Sequence, residues 1–172
     1  MQFQDAGLRA RRRGAVAAAA FMVSLFTGML PVAQAGDDPL VARGKYLVKI
    51  AGCNDCHTPG YHFSGEADES TWLTGDVVGF HGPWGTTYPP NLRLTVQNLT
   101  EEQWMVFART PRRPMMPWWA LRDMTDEDLV ALYRYIRHLG PAGKPAPAAL
   151  PPGQEPPEPV LRAPAGPPGA GH

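Results

Sequence analysis

Two cysteines and a histidine stand in one short run, Cys53-Asn54-Asp55-Cys56-His57, and they are the residues of this chain best suited to do chemistry. Two thiols three positions apart can add to the two vinyl groups of one porphyrin, and the histidine that follows then lies under the iron as an axial ligand. The chain has only these two cysteines, so the attachment leaves no thiol for a disulfide. The run therefore predicts one covalently attached haem c, held by Cys53, Cys56 and His57.

Other uses of a Cys-x-x-Cys run need surroundings that this sequence does not provide. A thioredoxin-like redox pair requires a strand before the cysteines and a helix after them. The residues before Cys53 read as helical, and no βαβ pattern surrounds them. A zinc site needs two more cysteine or histidine ligands; His62 is near, but no fourth ligand is evident.

The first 35 residues have the three parts of a signal peptide. A basic start with four arginines is followed by an apolar stretch from Ala15 to Leu30 and by Ala33-Gln34-Ala35, a small-x-small cleavage site. The apolar stretch is short for a membrane span, which needs about 20 residues, so cleavage is favoured over an uncleaved anchor. We therefore predict cleavage after Ala35, export to the periplasm and at most an indirect membrane association.

The charge balance argues against a nucleic-acid partner. The whole chain has a formal net charge of zero. The predicted signal peptide carries four arginines and one aspartate, so its removal changes the net charge to −3. A nucleic-acid-binding protein would instead show a basic patch or stripe.

Residues 141–172 have a composition of their own. They hold eleven of the twenty prolines, together with many glycines and alanines and few large apolar residues. Such a segment buries too little apolar surface to offset the entropy lost on ordering. It is predicted to be a disordered tail, and the alternative is a tether or docking segment for a larger complex.

The stretch 36–140 is predicted to be one small domain. Asp38-Pro39 is a typical helix start, and Leu40, Gly44 and Leu47 share one face of the helix that follows. A glycine in mid-helix costs about 1 kcal/mol relative to alanine. A close crossing by another helix would explain Gly44, and the alternative is a tolerated exposed glycine.

Residues 58–98 lack a sustained period and are rich in glycine, proline, threonine and aromatic residues. They predict a long loop without a strand, of the kind that wraps around something or carries function. Four aromatic side chains predict contact with a haem edge, or else ordinary core packing: Trp72, Phe80, Trp84 and Tyr88.

Two capping signals mark the helices that follow this loop. Thr100-Glu101-Glu102-Gln103 is a capping box, and the helix it starts is predicted to bury Trp104, Phe107 and Ala108. Thr125-Asp126-Glu127-Asp128 resembles a second box, and its helix ends at Gly140-Pro141. The predicted apolar face of that last helix consists of Leu129, Leu132, Tyr133, Ile136 and Leu139. His138 falls opposite this face and is predicted to lie at the surface.

A second iron ligand is predicted between these helices, in the run Arg113-Pro114-Met115-Met116-Pro117-Trp118-Trp119. A thioether opposite histidine suits haem iron and raises its reduction potential. The candidates are Met115, Met116 and Met124, although core filling is the usual role of methionine. If no methionine binds, His62 or His81 could, and the potential would fall.

The stretch from Asp38 to Gly140 resembles a class I cytochrome c, and in particular the haem subunits of bacterial periplasmic dehydrogenases. The matching pieces are Gly44-Lys45-Tyr46-Leu47-Val48, Cys53-Asn54-Asp55-Cys56-His57-Thr58, Gly85-Thr86-Thr87-Tyr88-Pro89-Pro90-Asn91-Leu92, Met116-Pro117-Trp118 and Met124-Thr125-Asp126-Glu127-Asp128-Leu129. The resemblance implies an all-α, small cytochrome c fold, with helices around one covalently bound haem, a long loop and the proline-rich tail.

The resemblance also implies roles for individual residues. In that group the methionine of a Pro-Met-Pro-aromatic run is the distal ligand, which maps onto Met116 with Met115 as the runner-up. The family packs a glycine of its first helix against an aromatic residue of its last. Gly44 matches the glycine, while the family alignment favours Tyr135 and helical periodicity favours Tyr133 as its partner.

The predicted function is periplasmic electron transfer by a protein that is not itself an enzyme. The partners implied are a dehydrogenase upstream and an oxidase or another cytochrome downstream, in encounters that are typically small and transient. The alternatives are a haem subunit of a larger dehydrogenase or oxidase complex, and an open-site haem enzyme or gas sensor. Open-site helical bundles of that kind carry their Cys-x-x-Cys-His near the C-terminus, unlike this chain.

Overall fold

The computed structural model describes residues 38–163, and the predicted signal peptide lies outside this range. The helices are α1 Pro39–Ile50, α2 Cys53–His57, α3 Tyr61–Ser64, α4 Leu92–Gln97, α5 Glu101–Arg109, α6 Trp118–Asp123 and α7 Asp126–Leu139, with a 3-10 turn at Glu69–Thr71. The strands are β1 Gly79–Gly82, β2 Gly85–Thr87 and β3 Val160–Arg162. Within the described residues, no helix has both the length and the apolar character that crossing a membrane requires.

The predicted capping signals are confirmed at the starts of three helices. Asp38 caps α1 by accepting a hydrogen bond from the amide of Leu40 at 2.9 Å. Thr100 and Gln103 form both hydrogen bonds of the capping box of α5. Thr125 caps α7 by accepting from the amide of Asp128 at 3.1 Å. These signals are local in sequence, which is why they predict helix starts well.

Helices α1 and α7 cross closely at Gly44, as the sequence predicts. A Cβ atom on Gly44 would collide with the carbonyl oxygen of Ala131 and would lie 2.6 Å from the Cβ of Tyr135. Tyr135 is 1% exposed and its hydroxyl donates to Glu69 at 2.8 Å. The absence of a side chain at position 44 therefore allows the two backbones to approach each other.

The partner of Gly44 is Tyr135, as the family resemblance implies, and the preference of helical periodicity for Tyr133 is wrong. Tyr133 is half-buried, and its hydroxyl donates to the carbonyl of Leu99 at 3.0 Å. Periodicity fails here because α7 buries a broader surface than one stripe. Ala131 and Tyr135 face α1, while Leu132 and Ile136 line a neighbouring cavity.

A small sheet corrects the prediction of an all-α fold with a strand-free loop at 58–98. Strands β1 and β2 pair antiparallel, with Phe80 opposite Thr87, and β3 pairs parallel with β1, with Phe80 opposite Leu161. The strands are only three or four residues long. Such short strands carry too few residues for an alternating pattern to show in the sequence.

The proline-rich segment also differs from its prediction over the residues that are described. Residues 141–163 lie along the domain: Leu150 pairs with Thr86 through two backbone hydrogen bonds of 2.9 and 3.0 Å, and β3 joins the sheet. Prolines restrict the unfolded chain, so such a segment loses less entropy on ordering. The segment has no hydrophobic core of its own. It is held by hydrogen bonds between its backbone and the backbone of the domain.

Arg93 is a buried cation that sequence patterns do not reveal. Its side chain is inside the fold, 6% exposed, and donates to the carbonyl oxygens of Ser70 and Gly140 at 2.6 Å each and to that of Leu139. Two of these carbonyls end α7, where positive charge is favourable. Arg93 thus joins the 3-10 turn and α4 to the end of α7.

We expect Gly44→Ala to destabilise the holoprotein by about 1–3 kcal/mol, the usual cost of forcing extra atoms into a packed interior. The added methyl group meets backbone atoms of α7, which cannot move aside as a flexible side chain can. Denaturant unfolding would measure the loss. Lys49→Ala, on the exposed face of the same helix, is the control and should change the free energy of unfolding by no more than about 0.5 kcal/mol. Equal effects in both variants would contradict the close crossing.

Candidate cofactor site

The cysteine-histidine run forms the short helix α2 at the wall of a cavity of about 320 Å³. Gly52, at φ +69°, makes the sharp turn between α1 and α2; a residue with a side chain rarely adopts this conformation. The turn brings Cys53, Cys56 and His57 to the same cavity. The volume falls within the range of about 300–1,000 Å³ that is typical of small-molecule and cofactor sites.

Apolar side chains from separate parts of the fold form most of the cavity wall. They are Val48 of α1, Leu73, Phe80 of β1, Tyr88, Leu92 of α4, Trp104 and Phe107 of α5, and Leu132 and Ile136 of α7. A flat apolar ligand would therefore be surrounded by hydrocarbon and aromatic groups. Such a wall also shields the imidazole of His57 from water.

His57 is buried, with 5% of its surface exposed. Its Nδ1 lies 2.9 Å from the carbonyl oxygen of Pro90. Because a carbonyl can only accept, Nδ1 carries the proton and Nε2 keeps its lone pair for a metal. Burial lowers the pKa of His57, an effect that the hydrogen bond to Pro90 partly opposes. The imidazole is thus neutral at pH 7 and suited to be a ligand.

The two thiols are protonated in this environment. Burial and then the charge of Asp55 raise the pKa of Cys53 to about 12, and burial is also the main cause of the raised pKa of Cys56. A thioredoxin-like nucleophile needs a lowered thiol pKa, so the site does not suit thiol–disulfide exchange. Among the described residues, no group of three or more His, Cys, Asp or Glu side chains is arranged to hold a metal ion.

A buried polar network, which sequence reasoning missed, fixes α2 to the loop beside it. The Thr58 hydroxyl donates to Asn54 at 2.8 Å and accepts from the amide of Leu73 at 2.9 Å. Leu73 has φ +60°, a strained value for a side chain of this size, and it lines the cavity. The amide of Gly75 donates to the carbonyl of His57 at 2.8 Å. The network therefore holds both the wall and the ligand helix in place.

The methionine candidates separate in the structure. Met115 and Met116 both line the cavity, whereas Met124 packs against the hydrophobic core. Met116 is half-buried, and Met115 is 52% exposed. The alternative histidines do not line the cavity. His62 is exposed, and Nδ1 of His81 lies 2.8 Å from the Thr86 hydroxyl.

The four loop aromatics divide between the two predicted uses. Phe80 and Tyr88 line the cavity. Trp72 is 7% exposed and packs edge to face against Tyr135 with ring centroids 6.5 Å apart, so it belongs to the core. The ring of Trp84 covers Gly82 in the hairpin. Side chains of one loop can serve different surfaces, which composition alone does not resolve.

Two arginines and two residues of the proline-rich segment line the cavity without being predicted to do so. Arg112 lies 4.3 Å from the centroid of the Phe107 ring and donates to the Phe107 carbonyl at 2.5 Å, and Arg113 is also on the wall. Pro147 and Ala149 border the same cavity. The position of both arginines just before the methionine run is the sequence feature that could have predicted positive charge on the cavity wall. His138 is exposed, as predicted.

The chemistry of this donor set fits a covalently attached haem. Two thiols one helical turn apart, one neutral imidazole and two thioethers all face one apolar cavity. Thiols attach the porphyrin, and nitrogen and thioether sulfur are suitable axial ligands for its iron.

Comparison with known proteins gives three relatives with cytochrome names. The chain is 31% identical to the fructose dehydrogenase cytochrome subunit of Gluconobacter japonicus over 68% of its own length and 25% of the relative. It is 28% identical to the gluconate 2-dehydrogenase cytochrome c subunit of Pantoea cypripedii, over 64% of the chain and 28% of the relative. It is 26% identical to the cytochrome c subunit of the quinone alcohol dehydrogenase of Gluconobacter oxydans (strain 621H), over 62% of the chain and 23% of the relative.

The chain thus matches about a quarter of the length of these curated relatives. No protein-family model matches the chain, and no solved structure does.

We expect Thr58→Val to destabilise the protein by about 1–3 kcal/mol, because it leaves a buried amide and a buried side-chain carbonyl without partners. Thermal unfolding would measure the loss. Thr58→Ser keeps the hydroxyl and should retain most of the stability. If serine costs as much as valine, packing of the methyl group and not the hydrogen bonds would be responsible.

Proposed function

Since the chain is homologous to the cytochrome c subunits of bacterial dehydrogenases, we propose that it carries one haem c and transfers single electrons. The observation that carries the proposal is that Cys53, Cys56, His57 and Met116 face one apolar cavity. When bound, haem supplies one-electron oxidation and reduction at its iron.

Each residue of the site has a proposed role in holding the haem. Cys53 and Cys56 form the two thioether bonds. His57 is the proximal ligand through Nε2, and the Pro90 carbonyl sets its orientation through Nδ1. Met116 is the distal ligand, because it is the more buried of the two methionines on the cavity wall.

Charge and polarity around the site support a carrier of electrons. The apolar wall lowers the local polarity, which together with a thioether ligand favours the reduced iron and raises the potential. Arg112 and Arg113 add positive charge at the wall for the acidic side chains that haem bears. With both axial positions held by the chain, no substrate binds the iron. The protein itself is then a carrier and not an enzyme.

The proposed setting is the periplasm, reached through the signal peptide at residues 1–35. A dehydrogenase would deliver the electron, and an oxidase or another cytochrome would accept it. A second candidate is a permanent haem subunit of a dehydrogenase complex, which is favoured because all three relatives are named as cytochrome subunits. Purification of the protein from its own periplasm distinguishes the two candidates. A free carrier should be isolated by itself, whereas a permanent subunit should be isolated together with a dehydrogenase.

Replacing both Cys53 and Cys56 by serine should abolish covalent haem. The wild type should keep its haem through a denaturing gel, and the double variant should lose it, because serine cannot form the thioether bond. Haem retained by the double variant would overturn the proposed attachment.

Met116→Ala should remove the weak far-red absorption band of methionine-ligated ferric haem, and the reduced variant should bind carbon monoxide. Met115→Ala is the matched control and should keep the band and ignore carbon monoxide, because its side chain is half exposed. Absorption spectra of the oxidised and reduced proteins decide the matter. The opposite pattern would make Met115 the ligand. A wild type that lacks the band and binds carbon monoxide would favour an open-site enzyme or gas sensor.

A further inference from the structure

We infer that the C-terminal strap, defined as residues 141–163, is part of the haem-binding site and that Pro147 and Ala149 contact the porphyrin. The inference rests on the proposed function, since it assigns further binding residues for the same cofactor. It gives a role to the proline-rich segment, whose composition predicts only a disordered tail or a tether.

The strap is fastened on one side of the cavity by Asn91. The side-chain amide nitrogen of Asn91 donates to the carbonyls of Ala142 and Lys144 at 2.7 and 3.1 Å. Gly143, at φ +73°, packs so closely there that a Cβ atom would lie 3.0 Å from Asn91 and from Thr74. Asn91 is itself 3% exposed. Because the Asn91 side chain is buried, its two hydrogen bonds are needed to satisfy its amide group, and they fix the strap at this point. We call this contact the first anchor of the strap.

The strap is fastened on the other side by the sheet. Leu150 exchanges two backbone hydrogen bonds with Thr86, and a Cβ atom on Gly85 would collide with the carbonyl oxygen of Leu150. Further along, β3 pairs with β1, and the amide of Ala163 donates to His81 at 2.9 Å. The second anchor is therefore made of main-chain contacts on elements beside the cavity.

The five residues between the anchors, Pro145 to Ala149, cross the edge of the cavity. They carry no charged or polar side chain. Pro147 and Ala149 line the cavity, whereas the intervening Ala148 does not, and all three residues are exposed. Alternation of this kind is expected of an extended chain that turns one face to a ligand. A small apolar face suits the flat hydrocarbon surface of a porphyrin.

The first anchor also connects the strap to the proximal ligand. Asn91 follows Pro90, whose carbonyl accepts from His57, and the Asn91 side chain caps α4 by accepting from the amide of Leu94 at 3.0 Å. One short loop thus orients the imidazole and holds the strap. Displacement of the strap should therefore expose the haem to water, which favours the oxidised iron and lowers the potential.

The direct test is nuclear magnetic resonance of the reduced, full-length holoprotein with labelled alanine methyl groups. A porphyrin shifts the resonance of a methyl group that lies against its face. We expect the Ala149 methyl resonance to be strongly displaced and that of Ala148 to stay near its ordinary position. Two undisplaced methyl resonances in a protein that carries haem would overturn the inference alone. A wild-type protein without covalent haem would overturn the proposed function and the inference together.

A pair of glycine variants tests the consequence for the potential. Gly143→Val inserts a side chain into the first anchor, whereas Gly153→Val makes the same change at φ +82° where nothing lies within 4 Å of a Cβ atom. The midpoint potential should fall in Gly143→Val and stay at the wild-type value in Gly153→Val. Equal potentials in all three proteins would contradict the shielding role. If Gly143→Val does not fold, the methyl resonances of the wild type still decide the contact.

Discussion

The approach of α1 to α7 at Gly44 is the constraint on which the cavity depends. Because position 44 has no side chain, the backbones of Gly44 and Ala131 can lie in contact and Tyr135 can pack beside them. This crossing sets the relative position of the two helices, which supply Val48 and Ile136 to the cavity wall. Since packed interiors tolerate neither voids nor overlaps, the shape of this part of the wall depends on the glycine. The haem proposed for this site would lie against this pair of helices.

Side-chain hydrogen bonds to backbone groups hold the remaining walls. Thr58 accepts a hydrogen bond from the amide of Leu73, whose backbone is strained. Arg93 donates to the carbonyls at the end of α7. Asn91 caps α4 and also binds the strap. These segments have little regular structure, so their polar groups need such partners when they are buried. A backbone group also orients His57, through the hydrogen bond between its Nδ1 and the carbonyl of Pro90. The result is a largely apolar cavity whose supporting loops are held in place by polar contacts.

The cavity of the proposed electron carrier has features that suit the gain and loss of one electron in an apolar site. Before haem is attached, the thiols are protonated because burial raises their pKa values, and the imidazole is neutral because burial lowers its pKa. Among the described residues that line the cavity, Arg112 and Arg113 are the ones that carry positive charge. A wall of fixed, mostly apolar groups reorganises little when one electron arrives or leaves.

Much of this protein follows from the sequence by itself, because the relevant information is local. The Cys-x-x-Cys-His run predicts the proposed attachment chemistry, and the capping residues Thr100 and Thr125 mark helix starts that the structure confirms. Tertiary structure decided everything that joins distant residues. Tyr135 and not Tyr133 meets Gly44 because α7 buries two neighbouring faces. Pro90 orients His57 across 33 positions, and a segment whose composition predicts disorder is ordered over 141–163 because its backbone finds partners on the domain. Composition and periodicity describe what a segment can do alone, whereas these contacts exist only once the chain has folded around the site.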